Sequence, residues 1–102
     1  MRKILCAAIW FNDEKRYEHG CKNITRGFVI TGRRHSDCFM TLNILTGGNR
    51  ELLKKEKEQG FITSDNFFVN RYSAWLIAKE AGQIIERPDR FKIGVLFSED
   101  LY

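Results

Sequence analysis

Residues 60–71, GFITSDNFFVNR, decide how the rest of the chain is read. They predict two short strands around a tight turn at Asp65-Asn66. With a two-residue turn, Phe61 faces Asn70, Ile62 faces Val69 and Thr63 faces Phe68. Cross-strand partners share a face. One face then carries Phe61, Thr63, Phe68 and Asn70, a mixture of rings and hydrogen-bonding groups suited to binding. The other carries Ile62, Ser64, Phe67 and Val69, whose β-branched aliphatics suit a core.

Working outward, Asn70 can cap a helix over RYSAWLIAKEAGQ. Its stripe of Ala74, Ile77, Ala78 and Ala81 is small enough to lie close against a sheet, and Gly82 is the expected stop. Upstream, KILCAAIWF at 3–11 is short and continuously apolar and reads as a buried strand. GFVITG at 27–32 reads as a second strand. Ser36 is then a good N-cap with Asp37 in the first turn, and Cys38, Leu42 and Leu45 share one helical face up to Gly47-Gly48. Asn49 caps a further predicted helix, RELLKKEKEQ at 50–59, with Glu51 and Lys55 as an i,i+4 pair. FKIGVLF at 91–97 reads as a last strand and SEDLY as an exposed acidic end. The order predicts one α+β domain over 1–102, an antiparallel sheet with a β-hairpin and about three helices packed on it.

Composition sets the bounds. With 43% hydrophobic and 29% charged residues and a single proline, the chain is ordinary for a globular domain. Its 102 residues make a domain that is marginal alone, and eight Phe need a core, a pocket or an interface, so a homo-oligomer is expected. A net charge of +4 favours anionic partners without choosing among them. The apolar run of MRKILCAAIWF ends at Asn12-Asp13-Glu14, too short for a signal peptide, and no run approaches a membrane span. Three cysteines without a pairing pattern point to a reducing cytoplasm.

Four groups of residues offer chemistry. Arg33 and Arg34 precede a predicted helix N-terminus, where free N–H groups attract anions and guanidinium groups grip phosphate. Solvated or acid-paired arginines are the bland alternative. His19, Cys21, His35 and Cys38 have the residue types of a zinc site, but neither spacing matches a common knuckle. Cys38 also sits on an apolar helix stripe, where it serves as a small hydrophobe. Neither metal nor cofactor is expected. Cys21 or Cys38 with His35 supplies the parts of a thiolate–imidazole pair, the basis of an alternative reading as a small nucleotide hydrolase. Fourth, the hairpin face offers Phe61 or Phe68 to stack on a purine, and Thr63 and Asn70 to bond its edge or a ribose. Arg71 or Arg87 could meet a phosphate there, while core packing is the better reading for any single Phe and only the combination favours a nucleotide site. A charge of only +4 and the lack of a helix-turn-helix, RRM or zinc finger argue against a nucleic-acid module.

Three blocks, GFVITGRRHSDC, QGFITSDNFFVNRYSAWLIAKEAGQI and LFSEDLY, resemble in order and spacing the first-described group of phage Thoeris anti-defence sponge proteins. The resemblance covers most of the chain, though Asn66-Phe67 stands where a more polar turn is expected. It implies a non-enzymatic protein that captures cyclic ADP-ribose isomers (glycocyclic ADP-ribose) made by bacterial TIR-domain defence proteins, in the cytoplasm of the infected host. It also implies a homo-oligomer, a dimer-based hexamer, in which some members of the group capture cyclic trinucleotides at a separate site as well. The candidate ligand-contact residues from the reading above are Arg33, Arg34, His35, Phe61, Thr63, Asn70, Arg71 and Arg87. Stable nucleic-acid or membrane partners are not implied.

Overall fold

The computed structural model describes residues 2–18, 21–85 and 94–101. Four strands form one antiparallel sheet in the order β2-β1-β3-β4. They are β1 (Ile4–Phe11), β2 (Phe28–Gly32), β3 (Glu56–Thr63) and β4 (Phe68–Asn70). Helix α1 (His35–Thr46), the single turn α2 (Arg50–Leu53) and helix α3 (Arg71–Glu80) complete the α+β domain with a 3₁₀ turn at Ser98–Asp100. Among the described residues no helix is long and apolar enough to cross a membrane.

The continuous apolar run of β1 is explained by its place in the middle of the sheet, where both faces are covered. Ile9 and Phe11 face α1 and pack with Cys38 and Leu42, while Ile4, Ala7 and Phe61 pack beneath Ala74, Trp75 and Ala78 of α3. The opposite side of β1, with Ala8 and Trp10, is covered by Cys21 and Ile24 from the β1–β2 connection. Trp10 lies on this side, its ring nitrogen donating to the Arg26 carbonyl at 2.9 Å. Its contacts are those of a packing residue.

The hairpin turn differs from the two-residue form. Ser64, Asp65 and Asn66 make a three-residue loop closed by Thr63 N–H to the Phe67 carbonyl at 2.9 Å, and Asn66 takes the left-handed conformation at φ 69°. A type I turn followed by such a residue is the ordinary three-residue solution. The pairing therefore shifts by one: Gly60 opposes Asn70, Phe61 opposes Val69 and Ile62 opposes Phe68. A one-residue shift sends each side chain to the other face. Phe61 joins the α3 core and Phe68 the opposite one, so the expected mixed face of Phe61, Thr63, Phe68 and Asn70 is not formed.

Three further expectations are corrected. Residues 56–59 pair with β1 as strand, so the helix from Arg50 stops at Leu53; ladder bonding to Ile9, Trp10 and Phe11 overrides the helical preference of Glu-Lys-Glu-Gln. Asn49 does cap this turn, accepting from Glu51 N–H at 2.9 Å. The ion pair runs from Lys54, not Lys55, to Glu51 at 3.3 Å. Helix α1 begins two residues early, with Arg34 rather than Ser36 at the cap and its N–H held by the Asp37 carboxylate at 3.1 Å; Leu45 points to solvent because the buried stripe follows Cys38 and Leu42. Finally, Gly94–Phe97 is not strand, and Ser98 and Asp100 are buried, so this end of the chain is not an exposed acidic tail. Residues 91–93 of the expected last strand lie outside the described residues.

Two amide side chains stand in for missing strands. Asn23 donates to the Phe68 carbonyl at 2.6 Å and accepts from its N–H at 2.8 Å. Gln83 accepts from Ile4 N–H at 2.7 Å and donates to its carbonyl at 2.8 Å. Between them, Gly60 lets β4 approach β3. A Cβ placed there would lie 2.1 Å from the Val69 carbonyl oxygen and 2.9 Å from the Phe68 ring. We expect Gly60→Ala to lose about 2 kcal/mol or more of stability in a denaturant titration, because backbone rather than a flexible side chain must give way. Wild-type stability in that variant would show that β4 can shift without cost.

Candidate functional site

The site grows from the first residues of two helices. Gly32 and Arg33 turn the chain out of β2 so that His35 opens α1, and Asn70 leaves β4 and caps α3 by accepting from Ser73 N–H at 2.9 Å, so that Arg71 opens α3. These opening residues touch. His35 Nδ1 lies 3.4 Å from Arg71 Nη2, and His35 Nε2 lies 2.8 Å from the Gly60 carbonyl oxygen. A carbonyl can only accept and a guanidinium can only donate. The ring is therefore the neutral tautomer, with Nε2–H donating to Gly60 and Nδ1 accepting from Arg71. It also stands edge-on to Phe61, 5.2 Å between centroids.

Arg71 binds this junction together. Its Nη2 also donates to the Gln59 side-chain oxygen at 3.0 Å, and its Nη1 donates to the Leu96 carbonyl at 3.0 Å. Leu96 N–H returns a bond to the Arg71 carbonyl at 3.0 Å. The guanidinium carbon lies 4.9 Å from the centre of the Phe97 ring. Among the described residues these hydrogen bonds take three of the five N–H groups of a guanidinium. Burial lowers the Arg71 pKa, opposed by the Glu99 carboxylate. The group still stays charged at any working pH.

The first residues of two helices, each at the positive end of its helix dipole, thus touch through their side chains. Arg33, exposed, and Arg34, half-buried, lie at the same end of α1. Such an arrangement can hold an anion with two charged groups, such as a pyrophosphate. It is poorly set for proton transfer, since both His35 nitrogens already have partners. Burial first, with the neighbouring Cys6 and Asp37 adding to it, pushes the Cys38 thiol up to about 11. That thiol is fully buried, and a protonated, enclosed sulfur is not a nucleophile.

The structure brings His35 and Arg71 together, Arg71 following the Asn70 cap and His35 edge-on to Phe61; Arg33 and Arg34 precede His35 in the chain. Phe61 is 0% exposed, so its ring is closed to stacking. Thr63 is elsewhere: it is buried at the hairpin turn, bonded through its hydroxyl to Asp65 and accepting from Phe67 N–H at 3.0 Å. Arg87 and His19 lie outside the described residues. Among the described residues no group of His, Cys, Asp and Glu could hold a metal ion. Gln59, Phe97 and Glu99 join the junction without having been anticipated. Gln59 was hidden by its helix-like neighbours. The alternation in LFSEDLY, which buries Leu96, Ser98 and Asp100 and exposes Phe97 and Glu99, was the available signal. An apolar groove of about 300 Å³ lies elsewhere, lined by Tyr17, Val29, Thr31 and Ile62 among others, and holds none of these residues.

Burial lowers the His35 pKa from its ordinary 6.5, the Gly60 bond opposes this, Arg71 lowers it further and Glu99 raises it. Folding favours the neutral ring, so the unfolded chain binds more protons as the pH falls below about 6.5. The stabilisation is complete above that pH and is lost as the pH falls through the folded-state value. We expect the melting temperature to drop between about pH 7.5 and 5. His35→Gln, which keeps a neutral donor for Gly60, should drop less. Equal pH slopes for the two proteins would place the titration elsewhere.

Neither a search of curated proteins nor a search of solved structures returned a match. Comparison with protein families matches residues 3–102, nearly the whole chain, to one family. The chain belongs to the Phage T4 y16D protein family.

Proposed function

We propose that the protein is a non-catalytic sponge for small anionic nucleotides, capturing cyclic ADP-ribose isomers and so silencing anti-phage defence signalling in the cytoplasm of the infected host. The observation that carries this reading is the 3.4 Å contact between His35 and Arg71, which joins the starts of two helices beside Arg33 and Arg34. A cyclic ADP-ribose isomer has a pyrophosphate for that positive corner, riboses to hydrogen-bond and an adenine to stack. Membership of a phage family and the resemblance of the three sequence blocks support the same reading. The runner-up, a nucleotide hydrolase acting through His35 or Cys38, is disfavoured by the engaged imidazole and the buried, protonated thiol.

Assembly as a homo-oligomer, a dimer-based hexamer, is part of the proposal. Met40, Ile44 and Leu45 on α1 and Tyr72 and Leu76 on α3 are all exposed, and burial in a subunit interface would remove them from water.

The test is to incubate the protein with cyclic ADP-ribose isomers and, in parallel, cyclic trinucleotides, remove the unbound fraction, denature and run the supernatant on chromatography. Intact ligand is expected. Altered ligand would favour the hydrolase, and no retained ligand would overturn nucleotide binding. In a quantitative titration, Arg33→Ala/Arg34→Ala should weaken binding roughly 10-fold or more, as loss of charge-assisted phosphate contacts requires. Unchanged affinity would remove the start of α1 from the site.

A further inference from the structure

We infer that the outer edge of β2 is a docking strand for an acidic, extended peptide segment of another protein, which adds to the sheet alongside β2. The inference goes beyond the sponge reading and does not depend on it.

Strand β2 ends the sheet, whose order is β2-β1-β3-β4. At the opposite end Asn23 bonds both backbone groups of Phe68 on β4. No such amide stands beside β2. Among the described residues, the backbone groups of Phe28–Gly32 bond to no backbone but that of β1. Alternate residues of a strand turn their N–H and C=O to either side, so an edge offers a row of donors and acceptors. Edge strands are ordinarily blunted by a lysine, a proline or a bulge. FVITG has no charge and no proline, and its register with β1 runs without a shift from Phe28 to Gly32. Thr31 is exposed, and Val29 and Ile30 are only half-buried.

One face beside this edge is shaped. Val29 and Thr31 line the apolar groove of about 300 Å³ together with Tyr17, Phe28 and Ile62. A strand laid along β2 turns every second side chain to that face. Backbone bonds then supply affinity while the groove selects apolar side chains at alternate positions, as in peptide recognition by strand addition. Charge decides the occupant. Residues 12–34, the edge strand with its flanking connection, carry six Lys and Arg against three Asp and Glu, a net +3 of the chain's +4. A second copy pairing through its own β2, antiparallel about Ile30, would set Arg26 opposite Arg34 and join two such basic segments. Like charges facing each other across a ladder are destabilising, whereas an acidic segment is drawn in.

The experiment measures amide hydrogen exchange of the full chain by NMR, with and without a synthetic peptide of alternating glutamate and valine. The amides of residues 28–32 that face outward should exchange roughly 10-fold or more slowly when the peptide is bound. The same peptide N-methylated throughout cannot donate to a strand and should give no slowing. Its lysine counterpart should give little. Thr31→Glu changes an exposed position outside the core, so the fold is kept, and it should weaken the glutamate peptide several-fold through a like charge at the edge. No slowing by the glutamate peptide overturns the inference, and so does equal slowing by the lysine or N-methylated peptide. Slowing that appears without peptide and grows with protein concentration would give the edge to a second copy and overturn it as well.

Discussion

Gly60 is the constraint on which both the sheet and the site depend. It has no side chain, so the Val69 carbonyl and the Phe68 ring can occupy the space a Cβ would take. That close approach lets the short strand β4 pair with β3 and delivers Asn70 to cap α3. The same residue's carbonyl accepts the His35 N–H, and that bond fixes which ring nitrogen is left to receive Arg71. Strand pairing, helix start and imidazole tautomer are therefore set around one residue. A side chain there would disturb the hydrogen-bonded junction as well as the core.

The domain is too small to rely on apolar burial alone, and it closes its edges with amides. Asn23 satisfies both backbone groups of Phe68 on the outer side of β4, and Gln83 does the same for Ile4. Each amide supplies one donor and one acceptor in the geometry of a neighbouring strand without requiring that strand to exist. Gln83 comes from the AGQI end of the longest sequence block, and Asn70 from its middle. Within this block, Gln83 and Phe61 serve the fold.

What could be read in the sequence followed from local signals. Strands at 3–11 and 27–32 were legible as apolar runs, and the Asn49 and Asn70 caps as polar residues before helical periodicity. The arginines at the start of α1 were legible as cations beside free N–H groups. What failed was decided by partners far along the chain. Residues 56–59 look helical in isolation and become strand because β1 offers a ladder. The turn differed by a single residue, and with period-two geometry that was enough to bury Phe61. Asp100 looked like part of an acidic tail, yet it is buried because its carboxylate closes the backbone at Phe97. Gln59 and Phe97 could not be joined to His35 and Arg71 from spacing, since the contacts span long stretches of chain.

The character of the junction argues for holding over turning over. Its imidazole is neutral with both nitrogens engaged, and its guanidinium is tied to a side-chain amide, a ring nitrogen and a backbone carbonyl. A general base needs an uncommitted lone pair near the substrate, and a nucleophile needs a deprotonated, accessible atom. Neither is present among these groups. What the junction has is rigidity: it stands on a sheet strand and two helix starts, and its side chains are already fixed by hydrogen bonds. Binding to such a surface orders little that was not ordered before, so less of the contact energy is lost to immobilising side chains. Under the proposed sponge reading that economy favours slow release, because release depends on interaction strength that is not spent on rearrangement.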